Sequence, residues 1–322
     1  MKRYLFIVLI FTLVLGACGK TGEKVKKEDG KISIYTTVYP LQYFAQRIGG
    51  SHVTVQSIYP AGADEHSFEP TQKDMMNLAD ADLFLYIGLG LEGFVENAKK
   101  TLKNENVQMI ATAEKIPAEE LHAGHDHDED HDEVHDEDGH EEEHHDHGEF
   151  DPHVWISPKL SIELAKSIEQ ALVKEAPEFE EEFKTNREKL EQDLIALDGR
   201  FQEMASKAPS KTFFVSHAAF GYIAEEYGLE QVAISGLNSQ SEPSQKQLAH
   251  IVEQAKEKKV HYILFEQNVS SKLTDVIRKE IGAESLMLHN LGVLTPDDVK
   301  NEETYFTLMD RNLKVFQKAL SH

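Results

Sequence analysis

Twice along its 322 residues the chain alternates short β-rich runs with helical patterns, and that alternation limits its fold more than any single motif does. The first set of runs is ISIYT from Ile32, VTVQSIY from Val53, LFLYI from Leu83 and VQMIA from Val107. The second is TFFVS from Thr212, QVAIS from Gln231, YILFE from Tyr262 and SLMLH from Ser285. Stretches such as LQYFAQRIGG behind Pro40 and PSQKQLAHIVEQAKEKK behind Pro243 lie between them with helical spacing. Strand, helix and strand in steady succession call for parallel pairing, since a parallel neighbour can be reached only by a crossover. The expectation is an α/β fold of two lobes, each a (βα)4-type sandwich on a parallel sheet. Between the sets, Ser157 caps and Pro158 opens one helix. A longer pattern from about Glu180 to Ala208 aligns Phe183, Leu190, Leu194, Leu197, Phe201 and Met204 in one buried stripe, the pattern of a rigid connector. The expected division is 31–175 for the first lobe, 176–208 for the linking helix and 209–322 for the second lobe.

The net charge of −24 is concentrated in one place. Residues 119–149 carry 16 Asp and Glu and no Lys or Arg, which leaves only −8 for everything else. Binding nucleic acid requires a basic face to neutralise phosphates, so with a mildly acidic folded part nucleic acid is not expected as a partner. Nine of the chain's 17 histidines are set among those acids: His122, His125, His127, His131, His135, His140, His144, His145 and His147. Imidazole suits zinc, copper and nickel, and the surrounding carboxylates hold the local potential negative, so the tract attracts divalent cations. With almost no apolar residues it cannot offset the entropy of ordering. The tract is expected to be a disordered accessory loop, with the defined site elsewhere.

Lys2 and Arg3 precede an apolar run from Leu5 to Leu15 that is too short to span a membrane and closes in small residues, as an export signal does. The closing residues Leu15, Gly16, Ala17 and Cys18 resemble a bacterial lipobox, with cleavage leaving 1–17 as signal peptide and Cys18 as the lipid-carrying residue. Residues 18–30 then read as a flexible tether. Cys18 is the sole cysteine, so the chain makes no internal disulfide and no cysteine-based metal site.

Gly88, Gly90 and Gly93 spell a G-x-G-x-x-G after the third run, with Glu114 at roughly the spacing of a ribose-binding acid. In nucleotide-binding folds that fingerprint follows the opening strand of its domain. A tight strand-to-helix turn accounts for these glycines more simply.

Eight histidines lie outside the tract. Ligands of α/β sheets gather at the carboxyl ends of strands, and four histidines fall there: His66 after the second run, His153 ahead of the connecting helices, His217 after TFFVS and His289 at the end of SLML. Together they form a set drawn from both lobes, and three or four imidazoles suit tetrahedral zinc. His52, His250, His261 and His322 are assigned to surface or core duty.

GADEHSFEP around His66, DPHVWISP around His153 and SHAAFGY around His217 closely resemble, in the same order, the three signature segments of the metal-binding lipoproteins of bacterial zinc and manganese ABC importers. This is the cluster A-I family of solute-binding proteins. The similarity runs from Ile32 to the end, and the histidine tract together with FEQNVSSKL from Phe265 favours its zinc and adhesin-like branch. The resemblance implies His66, His153 and His217 as metal ligands. It departs from the family at two points. Glu65 stands where a proline commonly precedes the first histidine, and its carboxylate can support the site or reach the metal. HNLG stands where manganese members carry an aspartate followed by Pro-Leu-Gly, placing His289 at the acid's position. Loss of that acid favours zinc over manganese. The fourth ligand is left among His289, Glu266 and water, with Glu266 also matched to an acid that orients a histidine through its free N–H.

The resulting expectation is an extracytoplasmic zinc-binding component of an ABC importer, with Zn2+ as its cargo. It would be a monomer anchored to the outer face of the cell membrane through Cys18, handing Zn2+ to a permease driven by an ATPase. A manganese-binding member of the family, a zinc-binding adhesin and an extracellular zinc enzyme are the alternatives. No H-E-x-x-H is present, and the set spans two lobes rather than one rigid shell, so the chain is not expected to be an enzyme.

Overall fold

The structure is a computed structural model that describes residues 30–123, 150–239, 241, 243–267 and 272–322. Cys18 and the tract histidines from His125 to His147 lie outside the described residues.

The first lobe is built on β1 (Ile32–Thr36), β2 (Val53–Ser57), β3 (Leu83–Tyr86) and β4 (Gln108–Ala111), all parallel, in the order β2-β1-β3-β4. Every residue of β1 and β3 is buried. That is why these strands read as continuous apolar runs rather than alternating ones, with helices covering both faces. The connections hold α1 (Tyr39–Gly49), α2 (Gln72–Ala79) and α3 (Val95–Thr101). Pro40 lies in the first turn of α1, and Thr71 caps α2 in a reciprocal pair with Asp74.

Two helices follow, α4 (Pro158–Glu175) and the 28-residue α5 (Glu180–Lys207). The second lobe repeats the first: β5 (Thr212–His217), β6 (Glu230–Ser235), β7 (Tyr262–Glu266) and β8 (Glu284–Leu288), parallel in the order β6-β5-β7-β8. Its helices are α6 (Gly221–Glu226), α7 (Gln245–Glu257), α8 (Lys272–Ile281), the short α9 (Pro296–Lys300) and the closing α10 (Tyr305–Ala319).

The long helix is tied to both lobes. Toward its start Asn186 Nδ2 donates to Ile48 O at 3.1 Å, Arg187 pairs with Glu169 of α4 at 2.7 Å, and Arg47 of α1 reaches Asp193 at 2.8 Å. Further on Tyr227 Oη donates to Asp198 at 2.9 Å, Arg200 pairs with Asp310 of α10, and Phe201 stacks on Tyr227. Phe183, Leu190, Leu194, Leu197 and Phe201 are fully buried, so the apolar stripe seals the helix into the body along its length. One apolar core runs without a break from the first sheet past Trp155 and α5 to Phe213, Val215 and α10. A smaller core of Phe214, Ile234, Ile251, Ile263 and Ile277 fills the far side of the second sheet.

The glycine-rich turn lies between β3 and α3. Gly88, Leu89 and Gly90 all have positive φ, at 85°, 57° and 81°. The backbone N–H groups of Ile87 and Gly88, which a phosphate would need, donate instead to the buried carboxylate of Glu92 at 2.8 and 3.0 Å. Thr37 Oγ1 donates to the same group at 2.8 Å. The turn is filled by its own side chain.

Candidate metal centre

Two loops and the end of one strand deliver three imidazoles to one point. His66 is in the connection after β2, where its N–H donates to Asp64 Oδ1 at 2.9 Å. His153 comes just before a 3-10 turn, Val154–Ile156, and the Asp151 carboxylate two residues upstream fixes it twice. Oδ1 accepts from its backbone N–H at 2.9 Å and meets ring Nδ1 at 2.7 Å. His217 is the last residue of β5, and its Nδ1 faces Glu266 Oε2, at the end of β7, at 2.9 Å. With Nδ1 of His153 and His217 spent on carboxylates, Nε2 is the nitrogen each has left for a metal. A carboxylate on the far nitrogen sets the tautomer and strengthens the ligand.

One nitrogen from each of His66, His153 and His217 falls within 4.8 Å of the others. Nε2 of His153 and Nε2 of His66 are 3.3 Å apart. Two nitrogens on one tetrahedral zinc, each about 2.0–2.1 Å from it, are separated by about 3.3–3.4 Å. The pair therefore already has the spacing that zinc requires. His153 and His217 are wholly buried, whereas His66 is partly exposed, so the site meets solvent along the loop that carries His66.

Burial, reinforced by the neighbouring His153 and His217, holds His66 well below the ordinary histidine range, so it is neutral and ready to bind. His217 is shifted the other way. Burial opposes its charge, but Glu266, then Glu65 and the Leu237 carbonyl 3.0 Å from Nε2, outweigh that and push it up to about 9. A metal at Nε2 must displace a proton and the carbonyl contact. Burial also pushes the Glu65 carboxyl up to about 7.

The other expected site residues fall around this trio. Glu65 is buried with Oε1 2.9 Å from Asn290 Nδ2. It lies outside the group of atoms within 4.8 Å of one another, although its charge acts on His217. Its carboxylate lies against Gly292, where an added Cβ would stand 2.5 Å from Oε1. Position 292 is glycine because Glu65 of the other lobe occupies the space of a side chain.

His289, one of the candidates for a fourth ligand, is not in the group of three, and both its ring nitrogens have other partners: Nδ1 accepts the Leu291 N–H at 2.9 Å and Nε2 meets Asp298 Oδ2 at 3.1 Å. The hydrogen bond from His289 holds Asp298 well below the usual carboxylate range. His289 ties the loop after β8 to α9. His122, the one described tract histidine, stacks on Tyr222 at 4.1 Å and pairs with Glu225 of α6 at 2.9 Å, apart from the trio. Ala123 bridges Phe150, and the Asp151 N–H donates to His122 O at 3.0 Å, so the tract leaves and returns at one point. That point is next to the aspartate that holds His153.

Sequence reasoning passed over Asp151 and Asn290. Asp151 was legible as the acid two residues before His153 in DPH, spaced to bond the backbone ahead of it. Asn290 bonds locally only to the Gly292 N–H, a common turn contact, and the partners that tie it to the site, Glu65, Glu266, Gln267 and Trp155, are distant in sequence.

Residues 34–319 match the family model for the zinc-uptake complex component A, periplasmic. The chain belongs to this family. It is 35% identical over 318 residues to the high-affinity zinc uptake system protein ZnuA of Bacillus subtilis, covering 98% of this chain and 97% of that protein. It is 38% identical to the zinc-binding lipoprotein AdcA of Streptococcus pneumoniae over 99% of this chain, but spans only 61% of AdcA's length. Among solved structures, the Zn(II)-bound ZnuA-like domain of Streptococcus pneumoniae AdcA superposes with a TM-score of 0.72 at 34% identity, over 91% of this chain and all of that one.

Proposed function

We propose that this chain captures Zn2+ outside the cytoplasmic membrane and delivers it to an ABC permease. The observation that carries the reading is the convergence of three imidazole nitrogens, from both lobes, within 4.8 Å of one another, one pair of them at the 3.3 Å that fits a single tetrahedral zinc. His66, His153 and His217 are the ligands in this reading, with Asp151 and Glu266 orienting two of them. An all-imidazole set selects zinc over manganese, which prefers oxygen donors. Water or Glu65 completes the coordination, and His289 has no part in it.

Cargo must be released as well as held. Among the described residues, the loop carrying His66 meets the second lobe at Gly62 N–H to Leu294 O at 2.9 Å, Ser239 Oγ to Asp64 Oδ2 at 3.1 Å, and Glu65 to Asn290. A permease that lifts this loop removes one ligand of three while the buried pair stays in place. Lipid attachment at Cys18, a monomeric state and the absence of catalysis belong to the same reading. The lipid attachment is supported by the lipobox and by the likeness to AdcA, a zinc-binding lipoprotein.

Zinc titration of the chain and its His66→Ala, His153→Ala and His217→Ala variants, in competition with a chromophoric chelator, tests the assignment. Each variant is expected to bind at least about 100-fold more weakly, beyond the 10–100-fold typical of residues that only orient ligands. Unchanged affinity in any of the three would remove that residue from the site.

A further inference from the structure

Asn290 is fully buried, and every polar atom it has is used. Its Oδ1 accepts the backbone N–H of Gly292 at 3.0 Å, which fixes the orientation of the amide. Gln267 Nε2 donates to the same oxygen at 3.0 Å, and Gln267 Oε1 accepts the Asn290 N–H at 3.3 Å. The Asn290 carbonyl accepts Trp155 Nε1 at 2.7 Å. Nδ2 is thereby turned toward two carboxylates. It donates to Glu65 Oε1 of the first lobe at 2.9 Å and to Glu266 Oε2 of the second at 3.1 Å. The second oxygen is the same atom that receives His217 Nδ1.

We infer that Asn290 is a positioning residue for zinc: its two amide N–H groups bridge Glu65 and Glu266 and hold both lobes' carboxylates against the histidine trio. This rests on the trio being the zinc site. Two buried carboxylates approaching one point repel each other, and a neutral double donor between them satisfies both without adding a counter-charge that would repel the cation. A lysine or arginine there would satisfy them equally well and oppose zinc. An aspartate would add a third acceptor where two donors are needed. The amide also links the lobes at the site itself, since Glu65 comes from the connection after β2 while Asn290 follows β8. Gly292, two residues on, leaves the space into which Glu65 fits. The segment from Asn290 to Gly292 is therefore a receptor for a carboxylate of the opposite lobe.

The test is a double-mutant cycle on zinc affinity in the full chain, using Asn290→Ala, Glu65→Gln and the pair, with cobalt(II) absorption spectra of each. Asn290→Ala is expected to weaken zinc binding by about 10–100-fold. In the Glu65→Gln background the same change is expected to cost at least threefold less, because coupled residues do not act additively. The visible cobalt bands are expected to shift in Asn290→Ala as the ligands relax. Wild-type affinity in Asn290→Ala, an equal cost in both backgrounds, or unchanged cobalt bands would overturn the inference. If Asn290→Ala fails to fold, Gln267→Ala replaces it. That variant leaves the asparagine but frees its amide, and it is expected to lose about three- to tenfold in affinity; no loss would overturn the inference. His153→Ala separates the two readings. If it abolishes zinc binding while Asn290→Ala does not, only the role of Asn290 fails; if it keeps tight binding, the site itself is misplaced.

Discussion

His217 sets the pH dependence of the site. Held near 9 by Glu266, Glu65 and the Leu237 carbonyl against the opposing effect of burial, it carries a proton at neutral pH that zinc must expel. Affinity should therefore fall about tenfold per unit as pH drops below 9, or about 100-fold between pH 7.5 and 5.5. His66 does not steepen this, being held well below the ordinary histidine range. Chelator-competition titrations at the two pH values check it, and equal dissociation constants would contradict it. Metal-free stability responds with the opposite sign. The His217 contribution is complete below the unfolded histidine value near 6.5 and is lost as pH rises through about 9. Gly292→Ala gives a second prediction at this scale. Its Cβ would collide with the Glu65 carboxylate, so zinc affinity should fall about 10–100-fold with little change in far-UV circular dichroism. The three histidines of the trio were legible because each marks the end of a strand or the mouth of a connection. His289 shared that placement, yet its ring meets Asp298 of α9, a contact that strand-end placement does not reveal.

Among the elements, all eight strands could be read from the sequence, since strands buried on both faces appear as apolar runs bounded by turn residues. The short α9 was not, although Thr295, Pro296 and Asp298 spell its capping box. Five residues are too few for periodicity to show. The long α5 was read as a connector, and its hydrogen bonds to α1, α4 and α10 show that it is also a wall of the shared core. Leu194→Ala, which empties a fully buried position on that wall, should cost about 2–5 kcal/mol in denaturant unfolding. The acidic tract makes a separate prediction. Its ends meet across the Ala123–Phe150 bridge, so joining them by a short turn in place of 124–149 should leave the fold and the tight zinc site intact. Calorimetry should then show one strong site with the weak ones gone. Loss of the strong site would make the tract primary.

For the molecule as a whole, the continuous core matters more than the division into lobes. Apolar packing passes from the first sheet through Trp155 and α5 into the second, so separating the lobes as rigid bodies would expose it. Motion on binding should be confined to the loop that carries Glu65 and His66, and small-angle scattering with and without zinc should give nearly equal radii of gyration. The metal-free chain should be folded and cooperative, and zinc at 1,000 times its dissociation constant should add about 4 kcal/mol. The most direct test of the account is a crystal structure of the zinc-loaded chain with anomalous data at the zinc edge. It should show one strong peak bonded to His66, His153 and His217 with Zn–N distances of about 2.0–2.1 Å. A principal peak at His289, or among the tract histidines, would contradict it.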